Sequence, residues 1–238
     1  YQLQTPTTRL WRQAYDAGKT NEAQSLFWRT PKPPEELYDL QSDPDEVRNL
    51  ARSADHRIQL EKMRTALRIQ AEATRDVCFL PEGEIHSRAQ GSTPYDLAHD
   101  DTKYPFARIY DAADLASRLS PAALPRLRTL LGDADSAVRY WAALGFLMRG
   151  MDAVNSGQAE LRTALKDSSP YVRIVAAQAL AEYGAESARP AALAVLRELA
   201  APDQNGVLVA MPALSAIEAL GPKAASLWDH VGTLKPTG

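Results

Sequence analysis

The chain has 238 residues, 45% of them hydrophobic, which is enough to bury a core and to form one or two domains. Its net charge of -3 excludes a general attraction to nucleic acid or to an anionic membrane. The single cysteine, Cys78, excludes an internal disulfide, and no apolar run reaches the roughly 18 to 20 residues that a membrane-spanning helix needs. We therefore expect neither a nucleic-acid partner nor a membrane partner.

The first part of the chain is predicted to be mostly helical. It starts with YQLQTPTTRL, which contains no initiator Met and no signal-peptide core, so we interpret the chain as a fragment of a longer protein. Short helices are predicted for Thr8 to Tyr15 and for Asn21 to Trp28. Residues 55–76 predict an amphipathic helix, whose apolar face consists of Leu60, Met63, Leu67 and Ala71.

Between these helices, residues 35–51 read EELYDLQSDPDEVRNLA. The word ELYDL predicts a short strand, because leucine and tyrosine alternate in it. Ser42-Asp43-Pro44-Asp45 predicts a turn, since aspartate and proline stand at favoured turn positions. Asn49-Leu50-Ala51 then leads into the helix.

Residues 80–112 are predicted to be a connector, because proline, glycine, serine and aspartate are scattered through most of this segment without a period. From about Ala113 the chain becomes rich in alanine and leucine, with apolar residues recurring at helical spacing. We therefore predict three parts: residues 1–79, the connector 80–112 and a helical region 113–238.

The helical region contains an internal repeat. Residues 133–150, which end in VRYWAALGFLMRG, align with residues 167–184, which end in VRIVAAQALAEYG, at an offset of 34 residues. A third copy ends at Gly221, 37 residues beyond Gly184. Each copy follows a partner helix, so the repeat unit is a helical hairpin that buries its apolar face only by stacking on its neighbours. Ser120-Pro121 and Ser169-Pro170 predict helix starts with a serine cap, and three glycines predict helix ends: Gly150, Gly184 and Gly221.

This pattern resembles HEAT-type repeats, in which the second helix commonly opens with Asp, a short turn and Val-Arg. The third copy, DQNGVLV, has no Arg at that place. It is interpreted as a terminal repeat or one that bends differently.

The stretch EELYDLQSDPDEVRNLA resembles a signature near the C-terminal end of the sulfatase family, and the flanking FLPEGEIHSR is similar to its arylsulfatase-like and sulfamidase-like branch. The resemblance implies a large α/β catalytic domain followed by a small α+β subdomain, to which residues 1–79 would belong. For the parent protein it implies hydrolysis of sulfate esters or sulfamates, a calcium ion, a formylglycine made in a C/S-x-P-x-R motif, and export from the cell.

This chain departs from the sulfatase pattern at the nucleophile. Cys78 stands in CFLPE, and the Ser-x-Pro words that begin at Ser92 and Ser168 lack the arginine. We therefore predict no catalytic residue, cofactor or metal in this chain, and expect calcium and formylglycine only in a catalytic domain outside it.

Four charged residues of the repeats have two candidate roles. They form either an internal ladder that ties adjacent repeats together or a surface that binds an anionic partner such as a sulfated glycan. We favour the ladder, because residues 114–238 contain 12 basic and 12 acidic residues and so have no net charge. The four residues are Asp133, Arg139, Asp167 and Arg173.

Two further groups of residues are interpreted as structural. The histidines and aspartates of the connector follow no compact metal-ligand spacing, so they are read as polar loop residues: His86, Asp96, His99, Asp100 and Asp101. The tryptophans are predicted to be buried rather than to stack on sugar rings: Trp11, Trp28, Trp141 and Trp228.

The sequence thus predicts a mainly α chain, with a small α+β subdomain of a short strand plus helix, followed by a HEAT-type α-solenoid of about three helical hairpins. The predicted function is that of a non-catalytic C-terminal region of a sulfatase-like hydrolase. Its repeats would serve as a protein-interaction or domain-packing module, with the catalytic domain of the same parent chain as partner. The alternative is a stand-alone HEAT-repeat scaffold that binds another protein.

Overall fold

The computed structural model describes residues 2–235, and these residues form helices, turns and loops without any strand. The predicted helical character and the repeats are confirmed, whereas the α+β subdomain is not supported. The chain divides into two compact units, one up to residue 68 and one from residue 69. The predicted part boundaries at 79/80 and 112/113 stay predictions.

The first unit contains two short helices close to their predicted positions. Helix α1 is Pro6–Asp16 and helix α2 is Glu22–Ser25, which begins with a capping box between Asn21 and Gln24. The rings of Trp11, Phe27 and Trp28 lie together, with centroids 4.7–5.2 Å apart. This aromatic cluster packs α1 against the segment after α2.

Helix α3 is Arg57–Thr74, as the amphipathic pattern predicts. Of its predicted apolar face, Leu60 and Ala71 are buried, but Met63 is 51% exposed and Leu67 is 64% exposed. The centre of that face is therefore open to solvent.

The predicted strand at ELYDL does not form; the segment is a loop whose backbone pairs with a side chain. The Leu37 N–H donates to Asn49 Oδ1 at 3.0 Å, and Asn49 Nδ2 donates to the Glu35 carbonyl at 2.9 Å. The Leu50 N–H also donates to the Leu37 carbonyl at 2.7 Å. The strand prediction was wrong because a strand needs a second strand, and here the Asn49 amide takes that place.

The predicted turn after this segment is present, and two aspartates hold it. Asp43 is buried, and its carboxylate accepts hydrogen bonds from the backbone N–H groups of Val47 at 3.1 Å and Arg48 at 2.8 Å. Asp39 accepts from the Ser42 hydroxyl and the Gln41 N–H, and these hydrogen bonds lower the pKa of Asp39. Asp39, Asp43 and Asn49 thus replace the missing sheet as the source of order.

We expect Asn49→Ala to loosen this loop, because it removes the amide that pairs with Leu37 and Glu35. The expected loss is about 1 kcal/mol of unfolding free energy, since the side chain is exposed. Amide hydrogen exchange would show the Leu37 N–H losing protection. In the control Ser42→Ala, which leaves the Asn49 amide in place, Leu37 should keep it, and equal loss in both variants would contradict the assignment.

The second unit contains the hairpins and the helices that precede them. The helices are α4 Glu82–Arg88, α5 Pro94–Ala98, α6 Phe106–Ser117, α7 Leu124–Leu130, α8 Ser136–Arg149, α9 Met151–Ser156, α10 Gln158–Ala164, α11 Pro170–Tyr183, α12 Arg189–Leu199, α13 Pro202–Asn205, α14 Val207–Leu220 and α15 Trp228–Thr233. The hairpins pair α7 with α8, α10 with α11, and α12 with α14, so the first and second helices of each hairpin alternate along the chain.

The stacked hairpins share one continuous hydrophobic core. Its fully buried residues come from successive helices, as a solenoid requires; they include Leu127, Phe146, Leu161, Leu180 and Leu196. Gly150, Gly184 and Gly221 end the second helices as predicted. Gly150 and Gly221 do so with a positive φ, of 76° and 51°.

The prediction of serine caps at Ser120 and Ser169 is correct in position but wrong in hydrogen bonding. Ser120 and Ser169 stand at N-cap positions before a proline, yet neither side chain accepts a capping hydrogen bond. Ser169 instead donates its hydroxyl to Glu84. Local sequence predicts the position of such a residue, but not the distant acceptor that takes its hydroxyl.

The predicted connector is helical and packed. Helices α4, α5 and α6 lie within it or begin in it, and a second core cluster gathers around Tyr104, Phe106 and Ile109. Tyr104 is fully buried, and its hydroxyl donates to the Asp76 carbonyl. Residues 80–112 therefore belong to the packed body of the second unit.

The C-terminal segment Val207–Thr233 is long and apolar enough by composition to cross a membrane, which the sequence analysis did not expect. In the structure this segment is broken into α14, a 3-10 stretch and α15, with a kink at Ala224. Ala213, Ile217 and Leu220 of α14 are buried in the shared core. The buried share of its most apolar window is 33%, and this share packs into the repeat array.

Candidate functional site

Three of the four charged residues predicted from the repeats, Arg139, Asp167 and Arg173, form contacts between adjacent hairpins. Arg139 donates to both carboxylate oxygens of Asp167 at 2.7 Å, from Nε and from Nη2. Arg108 of α6 pairs with Asp133, and Arg173 pairs with Glu198 at 2.8 Å. The structure thus brings Arg139 to Asp167, whereas Asp133 and Arg173 each find a partner outside the predicted set.

The two aspartates also order the turns that precede the second helices. Asp133 Oδ1 accepts from the Asp135 N–H, and Asp167 Oδ1 accepts from the Ser169 N–H, both at 2.8 Å. This repeated turn, in which an aspartate bonds the backbone two residues on, explains the Asp of the repeat pattern. Arg139 contacts Asp133 only through the Asp133 carbonyl, at 2.9 Å.

Burial acts to raise the pKa of Asp167, but the hydrogen bond and charge of Arg139 and the Ser169 N–H outweigh it. The pKa of Asp167 therefore lies below the ordinary value of 3.8. The same balance holds for Asp135, with Arg88 as the cation. A carboxylate whose pKa is lower in the folded state than in the unfolded state stabilises the fold when it is charged. This stabilisation is present above pH 3.8, the ordinary pKa, and is lost as the pH falls through the pKa of the folded state.

We expect Asp167→Asn to lower the unfolding free energy at pH 7 by about 1 to 2 kcal/mol, because it removes a partly buried partner of Arg139. The loss should shrink as the pH falls below 3.8, because the unfolded wild-type chain then binds a proton that the folded chain does not, and it should vanish below the pKa of the folded state. Urea unfolding across this pH range measures both effects. Asp203→Asn, at an exposed position, serves as the control. A penalty independent of pH would contradict the charge assignment.

A second polar cluster, which we call the Glu84 clasp, joins α4 to the repeats. It consists of Glu84, Arg88, Asp135, Ser136 and Ser169. Glu84 is buried and accepts from Arg88 Nη2 at 2.6 Å, from the Ser136 hydroxyl at 2.7 Å and from the Ser169 hydroxyl at 2.8 Å. Arg88 donates to Asp135 as well, at 2.9 and 3.0 Å.

The clasp lies where two second helices begin. Ser136 is the first residue of α8, and Ser169 is the N-cap of α11. The Glu84 carboxylate therefore lies close to the N-terminal ends of two helices, which are the positive ends of their dipoles. Burial acts to lower the pKa of Arg88, but its bonds to Asp135 and Glu84 outweigh this effect and raise it. The clasp was not predicted, because its only local signal in the sequence is the four-residue spacing of Glu84 and Arg88.

Next to the clasp, a groove runs over the second helices α8, α11 and α14; we call it the second-helix groove. Its cavity has a volume of about 430 Å³. Its walls are mostly apolar or aromatic, and Glu82 at the start of α4 is the charged residue on them. The lining includes Tyr140, Leu144, Tyr171, Val175, Leu208, Met211 and Pro212.

The acidic residues near this groove affect its tyrosines. The pKa of Tyr171 is raised, by burial first and then by the charges of Glu84 and Glu82. The pKa of Tyr140 is raised by burial and by Glu84. Both phenols therefore stay protonated at neutral pH and line the groove as neutral hydroxyl groups.

His99 and the three aspartates of the predicted connector have partners, whereas His86 is exposed. Asp96 caps α5 with Thr93, Asp100 accepts from Thr102, and Asp101 pairs with Arg75. The His99 ring lies 2.8 Å from the Tyr95 carbonyl through Nδ1. No group of three or more metal-ligating side chains occurs within residues 2–235.

The tryptophans correct one prediction. Trp28 is buried. Trp11 and Trp141 are partly buried, and these two donate their indole N–H groups to backbone carbonyls. Trp228, in contrast, is 54% exposed. It lies in the last helix, α15, beyond the last hairpin, so no further repeat follows among the described residues to cover it.

Comparison with known proteins supports both resemblances in part. Residues 143–221 are HEAT repeats, by their match to the model of that family. The chain is also similar to an ulvan-active sulfatase of Formosa agariphila, with 36% identity over 85 residues, which are 36% of this chain and 14% of the relative. The chain thus matches only a small part of that protein. No solved structure matches.

The residues of this chain do not fit a formylglycine centre. Cys78 is exposed, and its pKa is raised by the neighbouring Asp76 through a hydrogen bond and through charge, so the thiol stays protonated and weakly nucleophilic. Ser92 donates its hydroxyl to Asp96 at 3.1 Å, as part of the α5 cap. Ser168 lies in the turn before α11, in hydrogen-bond contact with Arg139. These positions perform structural roles.

Proposed function

We propose that the chain is the non-catalytic C-terminal region of a sulfatase-like hydrolase, in which the HEAT repeats act as a protein-interaction or domain-packing module. The observation that carries this proposal is the presence of HEAT repeats and of similarity to a sulfatase in one chain. The parent would hydrolyse sulfate esters or sulfamates, with formylglycine and calcium in its catalytic domain. Export of the parent is part of the same proposal.

The exposed apolar side chains of the first unit support a packing role. Leu10 of α1 is 65% exposed, and Met63 and Leu67 form the open centre of the α3 face. An uncovered apolar face on a small unit is typical of a surface that packs against another domain. The proposed occupant is the catalytic domain of the same parent chain.

The test begins with the coding sequence upstream of Tyr1, where we expect an α/β domain with a C/S-x-P-x-R motif. The extended protein should release sulfate from an aryl sulfate, whereas the 238-residue chain alone should not. Deletion of the second unit, residues 69–238, from the extended protein should lower the melting temperature of its catalytic domain. Sulfate release by the chain alone would overturn the non-catalytic assignment.

The alternative function is a stand-alone scaffold that binds another protein. The second-helix groove favours it, because Met211 on the groove wall is 58% exposed beside other apolar residues. A reading frame that begins near Tyr1 without an upstream α/β domain would support this alternative over the first proposal.

Recognition of a sulfated glycan by the repeat arginines has less support, because Arg139 and Arg173 are paired with carboxylates. We expect no retention of the chain on a heparin column at low salt, since a repeat region with no net charge offers little attraction to a polyanion. Retention that is lost in Arg173→Gln, but kept in the exposed control Arg126→Gln, would contradict this expectation.

A further inference from the structure

We propose that the second-helix groove binds a segment of a partner protein in which an apolar side chain lies next to a lysine or arginine. This inference rests on the proposed function of the repeats as an interaction module. It adds the place of binding and the chemistry of the partner.

The apolar part of the segment is indicated by the groove walls. Leu144 of α8, Val175 of α11 and Met211 of α14 bring apolar surface from three successive second helices to one cavity. Methionine is flexible and adapts to different apolar shapes, and Met211 is the exposed one of the three. The volume of about 430 Å³ is suited to a few side chains of a bound segment.

The basic residue of the bound segment is indicated by the negative charge at one end of the groove. Among the residues that line the cavity, Glu82 is charged and exposed, and neither lysine nor arginine is present. Behind the wall, the Glu84 and Asp135 carboxylates contact the guanidinium of Arg88. Arg139, whose charge also interacts with both carboxylates, is paired with Asp167, so these five side chains leave one formal negative charge. This end of the groove therefore attracts a cation and repels a carboxylate.

Hydrogen bonding at the Glu82 end of the groove favours a donor as well. A lysine ammonium or an arginine guanidinium has only donors, and so matches the Glu82 carboxylate, which has only acceptors.

The neighbouring interface shows how the same surface already holds a segment of this chain. Helix α4 approaches the repeats with Gly83 against Tyr171 and with the Glu84–Arg88 pair over the starts of α8 and α11. The groove begins at Pro81 and Glu82, immediately before α4 and at its first residue, and continues along α11 and α14. A bound segment would therefore extend an interface that α4 has begun.

The test uses four fluorescein-labelled peptides of about twelve residues, which present the pairs Leu-Lys, Leu-Gln, Leu-Glu or Ser-Lys in one alanine-rich host sequence. Fluorescence anisotropy with the full 238-residue chain should show the Leu-Lys peptide binding about tenfold more tightly than the Leu-Glu and Ser-Lys peptides. Methyl resonances of Met211 and Val175 should shift on binding.

Variants of the groove give the decisive comparison. Glu82→Lys should reverse the preference between the Leu-Lys and Leu-Glu peptides, and Met211→Ser should weaken both about fivefold. The matched controls Glu186→Lys and Met151→Ser, at exposed positions outside the groove lining, should leave binding unchanged. Equal binding of Leu-Lys and Leu-Glu, no effect of Glu82→Lys, or no binding of any peptide would overturn the inference.

Failure of this test is distinguishable from failure of the proposed function. The upstream motif and the melting temperature of the extended protein do not depend on the groove or on any peptide. If the repeats stabilise a catalytic domain while the peptides do not bind, the groove inference alone is lost.

Discussion

Replacement of Arg88 by methionine is expected to lower the unfolding free energy of the second unit by about 3 to 5 kcal/mol. Arg88 is the cation of the Glu84 clasp, and its side chain is only 16% exposed. Its removal leaves the buried Glu84 carboxylate and the partly buried Asp135 carboxylate without their common partner. Urea unfolding followed by circular dichroism would measure the loss.

Two comparisons separate this explanation from a simple loss of packing. The triple variant Arg88→Met, Glu84→Gln, Asp135→Asn should recover much of the stability, because removal of all the charges of a buried cluster costs far less than isolation of some of them. Arg118→Met breaks an exposed pair with Asp114 and should change stability by less than about 0.5 kcal/mol. A triple variant no more stable than Arg88→Met would contradict the electrostatic account.

The repeat region was predictable because its information is local and periodic. The offset of 34 residues between Asp133 and Asp167 reflects stacking of similar hairpins, and the same stacking aligns the turns that these aspartates order. Helix ends at Gly150 and Gly221 follow from the positive φ there, which glycine adopts without strain. Spacing alone was therefore sufficient for the fold of this part.

The sequence predicted that the repeat arginines pair with carboxylates, but it did not identify every partner. Stacking brings Arg139 to Asp167 because both belong to copies of the repeat. Arg173 pairs with Glu198 rather than with the aspartate of the third copy. The turn before the second helix of the third copy also differs, because α13 and Gly206, which has a φ of 76°, replace the aspartate turn.

The clasp and the loop at residues 35–51 were not predictable, because each depends on a contact that the local sequence does not encode. Glu84 and Ser169 are 85 residues apart, and α4 is too short to give a periodic pattern. ELYDL has the composition of a strand, but its hydrogen-bonding partner is the Asn49 side chain. In both cases a polar side chain replaces a regular backbone partner.

The same distant contacts explain why Gly83 is a glycine, and they predict the second large effect. A Cβ atom at residue 83 would overlap the Tyr171 hydroxyl oxygen and would lie 2.6 Å from the adjacent ring carbon. Tyr171 of α11 is buried, and its ring lines the second-helix groove. Gly83→Ala should therefore displace either this ring or α4, at a cost of about 1 to 3 kcal/mol of unfolding free energy.

Displacement of α4 should also loosen the clasp, because Glu84 is the next residue. Hydrogen exchange should then increase at the amides of α4 before the rest of the unit unfolds. Gly83→Ala combined with Tyr171→Leu should recover part of the loss, since the smaller side chain vacates the clashing position. Gly132→Ala is the matched control, because its nearest contact would be 3.7 Å, and should change stability by less than about 0.5 kcal/mol. If Gly83→Ala is as well tolerated as Gly132→Ala, then α4 is not held against Tyr171, and the wall that it gives to the second-helix groove is not fixed.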